Sequence, residues 1–246
     1  MGQIFQMEMK IPFDMSDVNG HIKIPQLILL SLQVSEMQSE YLGISDQDLL
    51  EKHQLVWIVT DYEMTIHRLP AFGDQIRIET EALSYNRLFC YRRFTIFDQE
   101  GQILVEMLAS FVMMNKETRK VHPVDGELIA PYQSEFNKKV IRGPKYPKLE
   151  DGEQKDFQVR FYDLDMNGHV NNSKYLDWVF EAMGVEFLCE YVPRKINLKY
   201  VKEVRSDSCV SSCVKKEGTT SYHQIVSDGS LHAQAIIEWK KGEKDV

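Results

Sequence analysis

Asp163-Leu164-Asp165-Met166-Asn167-Gly168-His169-Val170-Asn171-Asn172 is the stretch on which the fold turns. It sits between a strand-like run and an amphipathic one. Its centre occurs once before, as Asp17-Val18-Asn19-Gly20-His21, with Val18 standing where Met166 stands. Asn-Gly is turn chemistry, because Asn and Asp side chains bond to their own backbone and Gly reaches positive φ without strain. One copy of Asp-x-Asn-Gly-His in each half implies a duplicated unit.

The same order of elements surrounds each copy. In the first half, residues 3–13 mix apolar and polar positions (Ile4, Phe5, Met7, Met9, Ile11) as a half-buried strand does. After the turn, Pro25 can open a helix. Leu27, Leu30, Val34, Met37 and Tyr41 then recur at spacings of three and four, giving one apolar stripe, and Gly43 can end it. A short acidic segment, Ser45–Glu51, leads to strands at Leu55–Ile66, Gln75–Ala82, Phe89–Phe97 and Gln102–Met114. The second half predicts a strand at Asp156–Tyr162 and a helix with Tyr175, Val179, Phe180, Met183 and Phe187 on one side. Strands at Arg194–Val201, Asp207–Lys215, Ser221–Val226 and Leu231–Trp239 follow, with a hairpin turn at Ser227-Asp228-Gly229. Between the halves, Pro123, Pro131, Pro144 and Pro147 interrupt any periodicity, leaving a connector with one short helix at Gly126–Phe136. The expected class is α+β, with an antiparallel sheet wrapped around a long central helix in each of two units. We place the units at 1–125 and 153–246, joined by the connector 126–152.

Composition narrows the function. Hydrophobic residues at 43% and charged residues at 27% suit a globular protein, and a net charge of −8 disfavours nucleic acid as the main partner. The start shows no basic segment followed by an apolar one, and the longest apolar run, Leu27–Leu30, is too short for a membrane span. A cytoplasmic location is therefore expected. The cysteines Cys90, Cys189, Cys209 and Cys213 show no metal spacing and read as buried thiols. Cys209 and Cys213 fall on one strand, about 13 Å apart and beyond disulfide reach. Asp163, Asp165, Asn167 and Gly168 match a calcium loop, but Lys174 stands where that loop needs Glu. Neither a metal nor a cofactor is expected.

Taken with Tyr200-Val201-Lys202-Glu203-Val204-Arg205-Ser206-Asp207-Ser208, the second turn resembles the acyl-acyl-carrier-protein thioesterases of plant plastids and bacteria. The resemblance runs from Phe13 to Trp239. It implies two tandem hotdog domains, with the first shaping the acyl pocket and the second carrying the chemistry. It places the family's catalytic Asp, Asn and His on Asp165, Asn167 and His169, and its catalytic Glu on Glu203. Val201-Lys202 replaces two arginines, and Val204 replaces the cysteine of plant members, so a cysteine nucleophile is unavailable there. The reaction implied is hydrolysis of fatty acyl-carrier thioesters by water activated at Glu203. Asn167 and His169 would polarise the carbonyl, and Asp165 would anchor the turn. Donors at the following helix N-terminus would help to hold the oxyanion. In the first half, Pro70 falls opposite Glu203, which leaves Asp17, Asn19 and His21 without a carboxylate. The implied partner is an acidic acyl carrier protein, with Lys138, Lys139, Arg142, Lys145, Lys148, Arg194, Lys195, Lys199 and Lys202 as a candidate docking patch. A fused pair predicts a monomer or homodimer. The alternatives are an acyl-CoA hydrolase, a non-catalytic acyl-binding or regulatory protein, and a hotdog dehydratase.

Overall fold

The computed structural model describes residues 2–242. Met1 and residues 243–246, at the outer ends of the two expected units, lie outside them. Strand β1 (Ile4–Lys10) precedes helix α1 (Ile24–Tyr41), helix α2 (Asp46–His53) and strands β2 (Leu55–Ile66), β3 (Gln75–Tyr85), β4 (Phe89–Phe97) and β5 (Ile103–Asn115). Two-residue strands β6 (Val121–His122) and β7 (Glu135–Phe136) lie before and within the connector. The second half repeats the series: β8 (Glu153–Gln158), α3 (Asn172–Glu181), α4 (Val185–Glu190), β9 (Tyr191–Tyr200), β10 (Cys209–Glu217), β11 (Thr220–Ser227) and β12 (Ser230–Lys241).

All the strands join one sheet, in the order β1-β3-β4-β5-β2-β9-β12-β11-β10-β8, with β6 on β5 and β7 on β3. The first half contributes 1-3-4-5-2 and the second 8-10-11-12-9, which is the same topology twice. The halves meet where β2 and β9 pair antiparallel, Met64 opposite Ile196 and Tyr62 opposite Leu198. Those four side chains belong to a single buried cluster that also holds Leu27 and Val34 of α1 and Leu176 and Val179 of α3. Each is worth about 1.5–3 kcal/mol of burial, so the junction adds to the core of both halves.

Local chemistry accounts for the departures from the sequence reading. The acidic segment at Ser45 is the start of α2. Ser45 Oγ accepts the Asp48 N–H at 3.1 Å, and Asp46 and Asp48 sit in the first turn with Lys52 in the last. Only Leu49 of α2 is buried, too little for a periodic stripe. The helix expected through Phe187 breaks at Gly184, whose φ of +84° ends one segment before α4 begins. In the connector, the expected helix reduces to one 3-10 turn, Ala130–Tyr132. Residues 139–147 instead cross the outer face of the sheet. There the Ile141 N–H donates to Tyr91 Oη, and Gln224 Nε2 donates to the Pro147 carbonyl. The cysteines are not the buried thiols expected: Cys189 and Cys209 are exposed. Cys209 and Cys213 take the outward alternation of β10, while Val210, Ser212 and Val214 point inward.

Among the described residues no helix is long and apolar enough to cross a membrane. No group of three His, Cys, Asp or Glu among them is placed to hold a metal ion.

One buried imidazole ties stability to pH. Trp239 Nε1 donates to Ser221 Oγ at 2.7 Å, and Ser221 Oγ lies 2.7 Å from His223 Nε2. Burial, and then Lys216, push His223 down to about 3 from an ordinary 6.5. The unfolded chain thus binds the proton first, so stability is full above pH 6.5 and falls as pH drops toward 3. Urea unfolding at pH 7 and pH 4.5 should show a loss of up to about 1.4 kcal/mol per unit from this residue, and His223→Asn should remove that part of the slope.

Candidate active site

The two Asp-x-Asn-Gly-His turns have one geometry. In the second, Asp165 Oδ1 accepts the N–H groups of Asn167 (2.8 Å) and His169 (3.2 Å), while the Asp165 N–H donates to the His169 carbonyl at 2.8 Å. In the first, Asp17 Oδ1 accepts from Asn19 (2.9 Å) and His21 (3.0 Å), and the Asp17 N–H donates to the His21 carbonyl at 2.8 Å. Gly20 and Gly168 both sit at φ +77°, where a Cβ would be strained. Asp165 therefore spends its carboxylate on the backbone, and its part in the site is to shape the turn.

Past the turn, Asn171 Oδ1 caps α3 by accepting the Ser173 N–H at 2.9 Å, and the Asn171 carbonyl accepts the Lys174 N–H at 2.9 Å. Of the N–H groups in the first turn of α3, those of Ser173 and Lys174 are thus already taken. The exposed amide of Asn167, the half-buried ring of His169 and the Asn172 N–H are donors that remain near the turn. Behind them the buried Asp163 carboxylate accepts the Arg160 N–H at 2.9 Å and lies 3.9 Å from Lys174 Nζ.

Glu203 arrives from β9. Strand alternation would have turned it away from the turn, but β9 ends at Tyr200 and the chain leaves the sheet. Two anchors then hold the segment. His232 Nδ1 lies 3.1 Å from the Lys202 carbonyl, and the Val204 N–H donates to Tyr175 Oη at 2.9 Å. Burial pushes the Tyr175 hydroxyl up to about 12, so it stays neutral. Tyr200, packed edge-on against Tyr175 with ring centroids 5.2 Å apart, donates its hydroxyl to the Asn172 carbonyl at 2.8 Å. The result places Glu203 Oε2 3.7 Å from His169 Nε2. Asn167 forms no hydrogen bond with either.

Sequence reasoning missed Arg119, which forms an ion pair with Glu203 from the other half of the chain. Its turn is held by the Asn115 side chain, which accepts the Thr118 N–H at 2.9 Å, with Arg119 itself at φ +55°. No motif marks it, since the contact depends on how β5 and β9 are placed. Missed too were Asn171 as the cap and Tyr175 as the anchor, although the cap was legible as Asn before a helix.

Beside the turn opens a pocket of about 190 Å³. Asn172 is its only contribution from the second half; the rest comes from the first half and the connector (Ile129, Tyr132, Ser134), with Leu32, Trp57, Val59 and Phe111 as apolar wall. A larger groove of about 1320 Å³ lies beside the first turn. There Pro70 accepts the Ile22 N–H and Ala71 bridges to His21, with no carboxylate in the place of Glu203. Its turn amide is also occupied, Asn19 Nδ2 donating to the Leu188 carbonyl at 2.9 Å. His169 and Glu203 face each other at the second turn, and Asn172 just beyond it lines the smaller pocket; there we locate the candidate site. Of the candidate docking residues, Lys195 is paired with Glu63 at 2.7 Å and Lys202 adjoins Glu203. The connector passes over the opposite face of the sheet from the helices.

A twelve-stranded sheet built from two copies of one helix-and-strand unit defines a double hotdog protein. Residues 2–132 match the acyl-ACP thioesterase N-terminal domain and residues 146–241 the acyl-ACP thioesterase C-terminal domain. The chain belongs to the acyl-ACP thioesterase family. It is 30% identical over 185 residues to oleoyl-acyl carrier protein thioesterase 1, chloroplastic, of Arabidopsis thaliana, covering 69% of this chain and 51% of that one. The chain thus spans about half the length of the curated relatives it matches. A crystal structure from Lactobacillus plantarum, provisionally described as an oleoyl thioesterase, superposes with a TM-score of 0.92 at 29% identity, covering 99% of this chain and 98% of that one. The 12:0-ACP thioesterase of Umbellularia californica shares the fold, with a TM-score of 0.85 at 23% identity over 97% of this chain and 98% of that one.

Tyr175→Phe removes the acceptor of the buried Val204 N–H. It should cost about 1–3 kcal/mol in urea unfolding and speed hydrogen exchange at the Val204 amide.

Proposed function

We propose that this protein hydrolyses fatty acyl thioesters of acyl carrier protein, releasing the fatty acid and the carrier thiol. The observation that carries this reading is the pair Glu203–His169, 3.7 Å apart, at a turn whose following helix begins with Asn172, a residue lining the smaller pocket. That gap is too long for a direct hydrogen bond; the attacking water sits beside the pair, within reach of Glu203.

Glu203 takes a proton from this water while its oxygen attacks the thioester carbonyl carbon. The negative charge that develops on the carbonyl oxygen is met by N–H groups of Asn167 and His169. The tetrahedral adduct then collapses, the C–S bond breaks, and Glu203 returns its proton to the leaving sulfur. Arg119 holds the Glu203 carboxylate in place throughout. No covalent intermediate is needed, and Val204 offers no nucleophile where plant relatives carry cysteine.

The acyl chain would enter past Asn172 into the first half, which supplies the pocket while the second supplies the reacting groups. Carrier protein is preferred over coenzyme A as thiol because the relatives are named for carrier thioesters. One chain contains both halves of the site, so a monomer suffices. We place its work in the cytoplasm.

A thiol-release assay with acyl-carrier substrates should show turnover, and Glu203→Gln should lower kcat by about 10²–10⁴-fold with folding unchanged. Near-normal turnover in Glu203→Gln, together with loss in His169→Ala, would transfer the base role to His169. Tight acyl binding without thiol release would leave a binding protein instead.

A further inference from the structure

We propose that a polar wall of Glu36, Asp46 and Arg92 closes the far end of the acyl pocket and sets the longest acyl chain the site accepts. This rests on the acyl-thioester reading above and adds to it a determinant of substrate length.

The pocket has two chemically different ends. Near Asn172 its wall is Leu32, Trp57, Val59 and Phe111; farther along α1 the lining becomes Ser35, Glu36 and Ser39, faced by Asp46, Arg92 and Tyr132. From Leu32 to Ser39 is about 10 Å along a helix axis, so the apolar stretch is short. Arg92 is buried, an unusual place for a guanidinium, and its Nη1 donates to Gln38 Oε1 at 2.5 Å and to Thr80 Oγ1 at 2.9 Å. Its Cζ lies 5.0 Å from the centre of the Tyr132 ring, and Tyr132 Oη is 2.7 Å from Ser39 Oγ. Asp46 forms the outer rim and is exposed; its N–H donates to Glu36 Oε1 at 3.3 Å. Burial, and then the Asp46 carboxylate, push Glu36 up to about 7. Thioester hydrolysis at Glu203 calls on none of these groups.

Their effect on an alkyl chain follows from solvation. Each methylene buried against the apolar wall improves kcat/KM about fourfold. A methyl group pressed on Glu36 and Arg92 gains none of this, because it strips water from polar groups and returns no hydrogen bond. Chain length should therefore have a sharp upper edge. Arg92 also ties α1 to β3, so a substitution there would confound fold with specificity. Glu36 takes no part in the Arg92 hydrogen bonds and can be changed alone.

The experiment measures kcat/KM for saturated acyl-carrier thioesters of increasing even length with wild type, Glu36→Leu and Glu36→Gln. The affinity of each protein for the matching free fatty acids is measured in parallel. In Glu36→Leu the optimum should move at least two carbons longer, with the ratio of long-chain to wild-type-optimal turnover rising tenfold or more. Glu36→Gln, which keeps shape and polarity, should leave the optimum in place. An unchanged or shortened optimum in Glu36→Leu overturns the wall. Absence of wild-type turnover on every chain overturns the hydrolase reading instead; the fatty-acid affinities then judge the wall alone, by the same shift or its absence.

Discussion

Everything in the site depends on β2 and β9 pairing edge to edge. That ladder joins two sheets into one and seals a single core across the junction. It also brings groups from distant parts of the chain within reach of one another. Arg119 reaches Glu203 because β5 pairs with β2 and β2 pairs with β9. Asn172 meets the pocket of the first half for the same reason.

Duplication supplied two equivalent places for a site, and the structure shows how they diverged. The turns are the same to within a few tenths of an ångström in their hydrogen bonds, so the difference lies in what faces them. At the second turn the chain leaves β9 and is held by His232 and Tyr175 so that Glu203 points back toward His169. At the first, Pro70 and Ala71 occupy the corresponding backbone: the Pro70 carbonyl accepts the Ile22 N–H, and the Ala71 N–H donates to Asp74. Asp17, with the same backbone role as Asp165, shows that this aspartate is needed for the turn whether or not a carboxylate lies opposite.

The division of labour between halves also explains where polar groups could be buried. The first half carries Arg92 and Glu36 around its pocket, at a cost in desolvation met for Arg92 by Gln38 and Thr80 and for Glu36 by the Asp46 N–H. The second half buries His223 with Ser221 and Trp239 instead, well away from the turn. Each half thus holds a polar cluster inside an apolar shell, but only that of the first half borders the pocket that Asn172 lines.

The sequence by itself determined the duplicated Asp-x-Asn-Gly-His turns, the long helix after each and most of the strands, because these are local: Gly20 and Gly168 meet a backbone need, and a stripe or an alternation is written in consecutive residues. Resemblance then pointed to Glu203. Short helix α2 escaped because one buried leucine makes no period, and Gly184 broke a helix that the apolar pattern carried straight through. What only the tertiary structure decided was the company each residue keeps. Glu203 faces His169 because its strand ends three residues earlier, and Arg119 joins it across a sheet whose strand order no local pattern encodes. Those contacts depend on strand pairing between residues far apart in the chain.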